Sequence, residues 1–260
     1  MSEIELKFQI PQAKLKALSR YVQQQSPERL QLHAKYFDTA DLYLQQHQIS
    51  LRQRLENEKW LQTLKAPKNN IERIEIETEL NPHESNSIGL EPYLQEKSLQ
   101  AVLLPALQSP LSVQFETQIQ RQQILQPFNG SEIEIAFDQG QITANDLALQ
   151  IHEIEFELKQ GDIRDLIQAI LPWIKKYHIW LDSSSKALKG QMLQQSCSAV
   201  PVQYQSALKL NAADDCDTAL KKIIANCLEH LLPNSSAIAS GQFSSEHVHQ
   251  TRVAIRRLRS

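Results

Sequence analysis

The chain has 260 residues and a formal net charge of −3, and 41% of its residues are hydrophobic and 22% are charged. These values are typical of a globular protein, and the length allows one large domain or two. The slight negative charge disfavours bulk attraction to nucleic acid, which binds basic domains, so any anion site has to be local.

Two further properties bear on location. The sequence has no apolar run of about 18 residues, and its start shows no basic stretch followed by an apolar one, so we expect neither a membrane span nor a signal peptide. The three cysteines are widely spaced and match no metal or redox motif. We therefore expect a reducing, cytoplasmic environment, with neither nucleic acid nor membrane as a partner.

Residues 1 to about 190 alternate short strands with a few helices. Alternation of charged and apolar residues, as in Glu-Ile-Glu-Leu-Lys-Phe at 3–8, is typical of a strand with one wet and one dry face. Strands are predicted at 3–8, 32–39, 50–56, 60–66, 72–80, 113–125, 132–142 and 149–161, and helices at 11–25, within 91–103 and at 161–177. Short turn signals between the strands indicate an antiparallel sheet.

The C-terminal part has a different pattern. Residues 196–213 are rich in Ser, Gln and Ala and predict a linker. From residue 214 apolar residues recur at helical spacing, with a predicted break at Pro-Asn-Ser-Ser (233–236) before a basic helix. We expect a domain at 1–195, a linker at 196–213 and a helical segment at 214–260.

The wet faces of the predicted strands carry more charge than a solvated face usually does. For a single strand, a solvated face is the simplest interpretation. For the set, carboxylates cluster on some strands and basic side chains on others, and like charges are unfavourable unless an opposite charge separates them. Carboxylates suit Mg²⁺ or Mn²⁺, and basic side chains suit phosphate oxygens. In a closed barrel both sets would face one lumen, where a metal-bridged polyphosphate would neutralise them.

Residues 3–7, Glu-Ile-Glu-Leu-Lys, resemble the N-terminal ExExK signature of the CYTH family, also called triphosphate tunnel metalloenzymes. The resemblance covers about residues 1–190 and continues in order through Arg52-x-Arg54, Lys65, Arg73-x-Glu75, Arg121 and the stretches 132–140, 152–158 and 183–190. It implies an α+β fold, with an eight-stranded antiparallel β-barrel (tunnel), flanking helices and an α-helical C-terminal segment. Members hydrolyse or rearrange triphosphates with a divalent metal.

The resemblance also implies roles for individual residues. The implied ligands of Mg²⁺ or Mn²⁺ are Glu3, Glu5, Glu153 and Glu155. The residues implied to bind phosphate are Lys7, Arg52, Arg54, Lys65, Arg73, Arg121 and Lys186. Those expected to act in catalysis are Glu5, Lys7, Arg54 and Glu155. Further candidate tunnel acids are Glu75, Glu132, Glu134, Asp138 and Glu157.

The final stretch, residues 247–260, resembles the opening motif of CHAD domains, helical bundles often fused behind CYTH domains and associated with polyphosphate. On a helix, His249, Arg252, Arg256 and Arg259 fall on one face, where they are candidate contacts for long-chain polyphosphate. The alternative is a generic basic helix. The resemblance implies that residues 214–260 hold the N-terminal part of such a domain. Truncation after Gly190 is expected to leave hydrolysis intact and to remove any retention of long-chain polyphosphate.

Taken with the charge pattern, the resemblance predicts a metal-dependent hydrolase that converts inorganic tripolyphosphate to pyrophosphate and phosphate. Thiamine triphosphatase and adenylate cyclase are alternatives within the family. A non-catalytic polyphosphate-binding module is the alternative from another class, and the near-complete set of charged positions disfavours it.

Overall fold

The computed structural model describes residues 4–56, 59–67, 73–80, 88–197 and 199–260. Two predicted site features, Glu3 and the side chain of Arg73, lie outside the described part.

Nine strands are present in the described part of the chain: β1 (Glu5–Gln9), β2 (Glu28–Asp38), β3 (Ser50–Glu56), β4 (Lys59–Pro67), β5 (Arg73–Leu80), β6 (Ser112–Phe128), β7 (Ser131–Ala144), β8 (Leu147–Gln160) and β9 (Trp180–Leu181). The helices are α1 (Gln12–Gln24), α2 (Tyr43–Gln46), α3 (Lys97–Ala106), α4 (Ile163–Tyr177), α5 (Lys186–Gln194), α6 (Cys216–Ser240) and α7 (Ser245–Arg259), with a 3-10 turn at Glu91–Gln95. Among the described residues, no helix is both long enough and apolar enough to span a bilayer.

The eight predicted strands and the three predicted helices of this first part are confirmed, with shifted ends. β6 and β7 extend further than the alternation indicates because a two-residue turn joins them. Asn129 and Gly130 in that turn have φ of 50° and 90°, the left-handed geometry that two-residue hairpin turns require. The additional elements α2, α5 and β9 have 4, 9 and 2 residues, which is too short for a clear periodic signal.

All nine strands belong to one antiparallel sheet with the order β5-β4-β3-β2-β6-β7-β8-β1-β9. This order is linear, and the described residues contain no pairing that joins its two ends, so a closed eight-stranded barrel is not confirmed. The ninth strand is the short β9, which pairs with β1. The sheet is nevertheless curved, because side chains from β1 and β5, near opposite ends of the order, line one cavity. The fold is thus α+β, with a large antiparallel sheet and flanking helices.

The outer face of the sheet packs against helices in two hydrophobic cores. One core joins β1, β7 and β8 to α1 and α4, and in it Phe8 and Trp173 both pack edge-on against Phe156. The other joins β3 and β4 to α2 and α3 through residues such as Leu51 and Leu64. Burial of apolar surface stabilises a fold by about 25 cal/mol per Å². Because successive strand residues point to opposite faces, burying this outer face leaves the charged side chains on the inner one.

Helix α5 packs on the inner face of the sheet. It contacts an apolar cluster formed by Leu30, Leu32, Ala34, Tyr36, Phe115, Ile119, Ile142, Ala144 and Ile151. A Cβ at Gly190 would lie 2.2 Å from ring carbons of Phe115, so this close approach requires glycine. The helix begins at Lys186 because the preceding Ser185 caps it, its Oγ accepting from the backbone N–H of Leu188 at 3.1 Å.

The predicted break at residues 233–236 is wrong, because α6 is one 25-residue helix that runs through Pro233. Tertiary hydrogen bonds hold this region. The Asn234 side chain bonds the backbone N–H and C=O of Gln203 at 3.2 and 2.8 Å. Ser236 Oγ donates to Asp182 Oδ1 at 2.9 Å. These contacts offset the backbone hydrogen bond that proline removes.

Helix α7 packs against α6. Between α5 and α6 the described residues form no helix or strand, and this stretch is tied to both C-terminal helices. His247 Nε2 hydrogen-bonds the Val200 carbonyl at 2.9 Å, and the Asn226 side chain donates to Ser206 Oγ at 2.8 Å. The division of the chain at residues 195 and 213 stays a prediction.

Candidate functional site

A cavity of about 340 Å³ lies on the inner face of the sheet. Each of the strands β1 to β8 contributes to its wall, as does the start of α5. The charged residues of the wall are Glu5, Lys7, Arg52, Arg54, Lys65, Glu75, Glu77, Arg121, Asp138, Glu155, Glu157 and Lys186. All of these except Glu77 are sequence-predicted site residues, so the fold brings most of the predicted set together.

Three predicted acids lie elsewhere. Glu153 is fully buried beneath the cavity wall. Glu132 and Glu134 line a separate hollow, together with Lys159. A β-bulge next to Glu132 shifts the register there, and Glu134 accepts a hydrogen bond from Gln123 Nε2 at 2.8 Å.

Strand register explains which charges meet. In antiparallel pairs, residues directly opposite each other share a face of the sheet. β1 and β8 pair so that Glu5 is opposite Glu157 and Lys7 is opposite Glu155. In the next position along the same face, Asp138 of β7 is opposite Glu153 of β8 and opposite Arg121 of β6. Carboxylates and cations from four neighbouring strands therefore lie close together on one face of the sheet.

Lys186 lies among three carboxylates at the floor of the cavity. Its Nζ is 2.8 Å from Asp138 Oδ2, 2.8 Å from Glu153 Oε2 and 2.9 Å from Glu155 Oε1. Arg121 adds a second cation, with Nε 2.7 Å from Asp138 Oδ1 and Nη2 2.8 Å from Asp138 Oδ2. Asp138 and Glu153 are both 0% exposed. We call these five residues the floor cluster. The loss of either cation would leave its buried negative charge only partly compensated.

Two carboxylates of the floor cluster, Glu153 and Glu155, have lowered pKa values. Burial alone would raise the pKa of Glu155, but Lys186 and Arg121 lower it from 4.5 to about 2. Burial would also raise the pKa of Glu153, but Lys186 and two further lysines outweigh this effect. The pKa of Glu153 therefore lies well below its ordinary value. The carboxylates in turn raise the pKa of Lys186 against the effect of burial.

We expect acid to destabilise the fold through Glu155. Its folded-state pKa lies below the unfolded value of 4.5, so its stabilising charge is fully present above that pH and is lost as the pH falls towards about 2. A shift of this size corresponds to about 3 kcal/mol. Urea unfolding of the wild type and of Glu155→Gln across this range measures the effect. The variant should lose less stability on acidification, and equal losses in both proteins would contradict the ion pairs of Glu155.

Beneath the floor cluster lies a polar network that the sequence patterns did not predict. Lys189 Nζ lies 2.5 Å from Glu153 Oε1 and 2.7 Å from Asp182 Oδ2. Gln9 Nε2 donates to the same two oxygen atoms, at 2.9 and 2.7 Å. A signal for Lys189 exists, since it follows Lys186 by three residues and helical spacing places both on one face. Asp182 belongs to no recognisable pattern.

Lys7 lies between this network and the cavity. Its Nζ donates to the carbonyl oxygen of Ser184 and lies 3.9 Å from Glu153 Oε1. Burial lowers the pKa of Lys7, with help from Lys189 and against the attraction of Glu153. Lys7 therefore releases its proton more readily than an exposed lysine does.

The part of the wall formed by β3, β4 and β5 carries basic side chains with incomplete partners. Lys65 Nζ lies 2.6 Å from Glu75 Oε2, and Arg54 Nη2 lies 2.6 Å from Glu56 Oε2. Arg52 Nη2 reaches Glu75 Oε1 only at 3.9 Å. The Nε atoms of Arg52 and Arg54 are buried and have no hydrogen-bond partner among the described residues. Because an unpaired buried donor is unfavourable, both guanidinium groups are suited to bind an anion.

The floor cluster also offers ligands for a metal ion. Asp138, Glu153 and Glu155 each place an oxygen within 4.8 Å of the other two, and the described ranges hold no second group of three His, Cys, Asp or Glu at this spacing. Three hard oxygen donors fit Mg²⁺ or Mn²⁺. The ammonium of Lys186 lies among the same oxygens, so a cation bound to all three has to displace it.

Three of the four predicted metal ligands lie in the described part of the chain, and they are placed differently from one another. Glu153 and Glu155 belong to the floor cluster, and Glu5 lines the cavity opposite Glu157. Asp138 is not among the metal ligands that the resemblance implies, but it is one of the further candidate tunnel acids, and the structure places it with Glu153 and Glu155.

Residues 1–187, which include the whole cavity wall, match the family model for the CYTH domain. The chain therefore belongs to the CYTH family, as its sequence resemblance predicted. Helices α6 and α7 lie beyond the match, so the resemblance of the last residues to CHAD domains stays a prediction.

A curated relative, the inorganic triphosphatase of Haemophilus influenzae, is 34% identical to the chain over 208 residues. The match covers 74% of this chain and 55% of the relative, so the chain spans about half the length of that protein.

Two solved structures are similar in fold. A protein of Bacillus halodurans, proposed to be an adenylate cyclase, has 19% identity and a TM-score of 0.54, over 72% of this chain and 96% of its own. A Hippeastrum protein, proposed to be an adenylyl cyclase and described as having a dominant triphosphatase activity, has 16% identity and a TM-score of 0.51, over 75% and 96%. At these identities the likeness concerns the fold.

Proposed function

We propose that this protein hydrolyses inorganic tripolyphosphate to pyrophosphate and phosphate in the cavity, with Mg²⁺ or Mn²⁺ as cofactor. The observation that carries the proposal is the convergence on one cavity of basic and acidic side chains from strands across the sheet. Tripolyphosphate needs cationic partners along its length, and metal-bound phosphate needs carboxylates nearby. That the Haemophilus influenzae relative is an inorganic triphosphatase supports the choice of substrate.

In this proposal the basic side chains bind the substrate from two sides of the cavity. Arg52, Arg54 and Lys65 lie on one side, and the buried Nε donors of the two arginines gain phosphate oxygens as partners. Lys7 lies on the other side with Arg121 and Lys186 of the floor cluster. Fixed cations around a triphosphate stabilise the negative charge that develops on the leaving pyrophosphate.

The three carboxylates of the floor cluster would hold the metal ion, with Glu5 of the cavity wall as a further candidate ligand. When bound, a divalent cation neutralises phosphate charge and makes its water more acidic. Arg121 fixes the orientation of Asp138 and Glu155 through its hydrogen bonds. Lys7, with its lowered pKa, is suited to give a proton from Nζ to the departing phosphate oxygen.

We also propose that the curved sheet works as a tunnel, with α5 packed across its inner face.

Helix α7 exposes a set of basic side chains, namely His249, Arg252, Arg256 and Arg259. They are proposed contacts for long-chain polyphosphate, and such exposed ion pairs weaken as ionic strength rises.

A turnover assay with tripolyphosphate, ATP and thiamine triphosphate tests the proposed function. We expect the highest kcat/KM for tripolyphosphate and no phosphate release in the presence of a chelator, because the divalent cation would make the attacking water more acidic. Folded protein that releases no phosphate with either metal would refute the proposal. A preference for thiamine triphosphate, or cyclic AMP formed from ATP, would favour the family alternatives, and tight binding without turnover would favour a polyphosphate-binding module.

A further inference from the structure

A chain of buried polar contacts connects helix α6 to the cavity. Ser236 Oγ donates to Asp182 Oδ1 at 2.9 Å, and Asp182 Oδ2 lies 2.7 Å from Lys189 Nζ. Lys189 Nζ lies 2.5 Å from Glu153 Oε1, and Glu153 Oε2 lies 2.8 Å from Lys186 Nζ. Lys186 lines the cavity. Five side chains thus join the C-terminal helical segment to the floor cluster.

All five of these side chains are shielded from water. Ser236, Asp182 and Glu153 are 3%, 6% and 0% exposed. The side chains of Lys189 and Lys186 are 13% and 16% exposed. In such surroundings water does not replace a lost partner, so changing one contact alters the next.

Asp182 has a defined orientation because each of its oxygens has partners. Oδ1 accepts from the backbone N–H of Ser184 at 2.8 Å and from Ser236, while Oδ2 accepts from Gln9 at 2.7 Å as well as from Lys189. Lys189 and Ser236 both lie beyond the residues matched to the CYTH family, and Ser236 is the partner that comes from helix α6.

An apolar contact seats α6 next to this hydrogen bond. Met192 of α5, Val200 and Ala237 of α6 form a small buried cluster, and Ala237 directly follows Ser236. Helix α6 therefore contacts α5 through packing and the Asp182 carboxylate through a hydrogen bond.

We propose that Ser236 and Asp182 are positioning residues for the triphosphate site, an inference that rests on the function proposed above. Ser236 fixes the Asp182 carboxylate, which holds Lys189, and α5 thereby keeps Lys186 at the cavity floor. The C-terminal segment is thus part of the support of the site. Truncation after Gly190 removes Ser236, so it should weaken triphosphate binding, contrary to the expectation from sequence.

The test compares Ser236→Ala with Ser235→Ala. Ser235 is the matched control, because its hydroxyl donates within the helix to the Leu232 carbonyl at 3.0 Å. Binding of inorganic tripolyphosphate is measured by calorimetry without divalent metal, and amide hydrogen exchange is measured across α5, α6 and α7. These two measurements do not require hydrolysis, so they test the inference even if the proposed activity fails.

For Ser236→Ala we expect triphosphate affinity to fall by about fivefold and exchange to accelerate in α5. Ser235→Ala should change neither, and Ser236→Thr, which keeps the hydroxyl, should restore both. A purely structural role for Ser236 would accelerate exchange in α6 and α7 and leave α5 and the affinity unchanged, which would overturn the proposal.

Asp182→Asn provides a second variant if Ser236→Ala does not fold. It keeps the shape of the side chain but removes the charge that faces Lys189. Faster exchange in α5 with unchanged exchange in α7 is the expected result. The proposal would be overturned if the amide hydrogens of α5 exchanged at the same rate in this variant as in the wild type.

Discussion

Replacing Lys186 by Met should lower the free energy of unfolding by about 3–5 kcal/mol. The substitution keeps most of the volume of the side chain and removes the ammonium that lies between three carboxylates. Two of those, Asp138 and Glu153, are fully buried, so their charge cannot be solvated by water. Arg121 remains as a partner of Asp138 and Glu155, while Glu153 keeps Lys189.

Urea unfolding of Lys186→Met against Lys175→Met measures this effect. Lys175 is exposed in the last turn of α4, and its replacement should change the free energy by no more than about 0.5 kcal/mol. Added Mg²⁺ should raise the melting temperature of Lys186→Met more than that of the wild type, because the carboxylates have lost their own cation. Equal responses to Mg²⁺ in the two proteins would contradict the floor cluster as a metal site.

Glu155→Gln should reduce kcat for tripolyphosphate by about 10²–10³-fold, with substrate saturating. The amide keeps the size of the side chain but loses the charge that Lys186, Arg121 and a divalent cation all require. Arg54→Ala should behave differently and mainly raise KM, by about 10–100-fold, because a charge-assisted contact contributes about 1.5–3 kcal/mol.

Glu79→Gln is the matched control for the carboxylate. Glu79 lies on β5 of the same sheet and is 60% exposed, and its Oε1 lies 3.2 Å from Lys59 Nζ. It is not among the residues that line the cavity. Its replacement should leave kcat and KM unchanged. If Glu155→Gln retained wild-type turnover and metal dependence, the assignment of Glu155 to the reaction would be wrong.

The sheet was largely predictable because its signal is local. Alternation of apolar and charged residues reports directly that one face is buried and the other carries charge. The strand β9 was not predictable, since two residues have no period and its existence depends on pairing with β1. At 233–236 a local turn signal was overridden by tertiary contacts of Asn234 and Ser236, which nothing in the neighbouring sequence indicates.

The charged residues of the cavity were predictable as a set, but their partners were not. Glu153 and Glu155 are two residues apart and share a face of β8, so the sequence predicts the same role, that of metal ligand, for both. The structure covers Glu153 with Lys189 and leaves Glu155 at the cavity. That difference arises from helix α5, whose position depends on the fit of Gly190 against Phe115.

The pairing of β1 with β8 has a consequence for how the protein is made. Gln9 and Glu153 are direct neighbours across these strands although 144 residues separate them in the chain. At about 5–20 residues per second, a ribosome needs roughly 7–30 s to synthesise that interval. During this interval β1 lacks its partner strand β8, and the lysines of α5 have not yet been made. The triphosphate site is therefore incomplete, and bound substrate cannot help the nascent chain to fold. Pairings this distant in sequence also slow folding of the released chain. The cavity is therefore completed late, after most of the sheet around it has been synthesised.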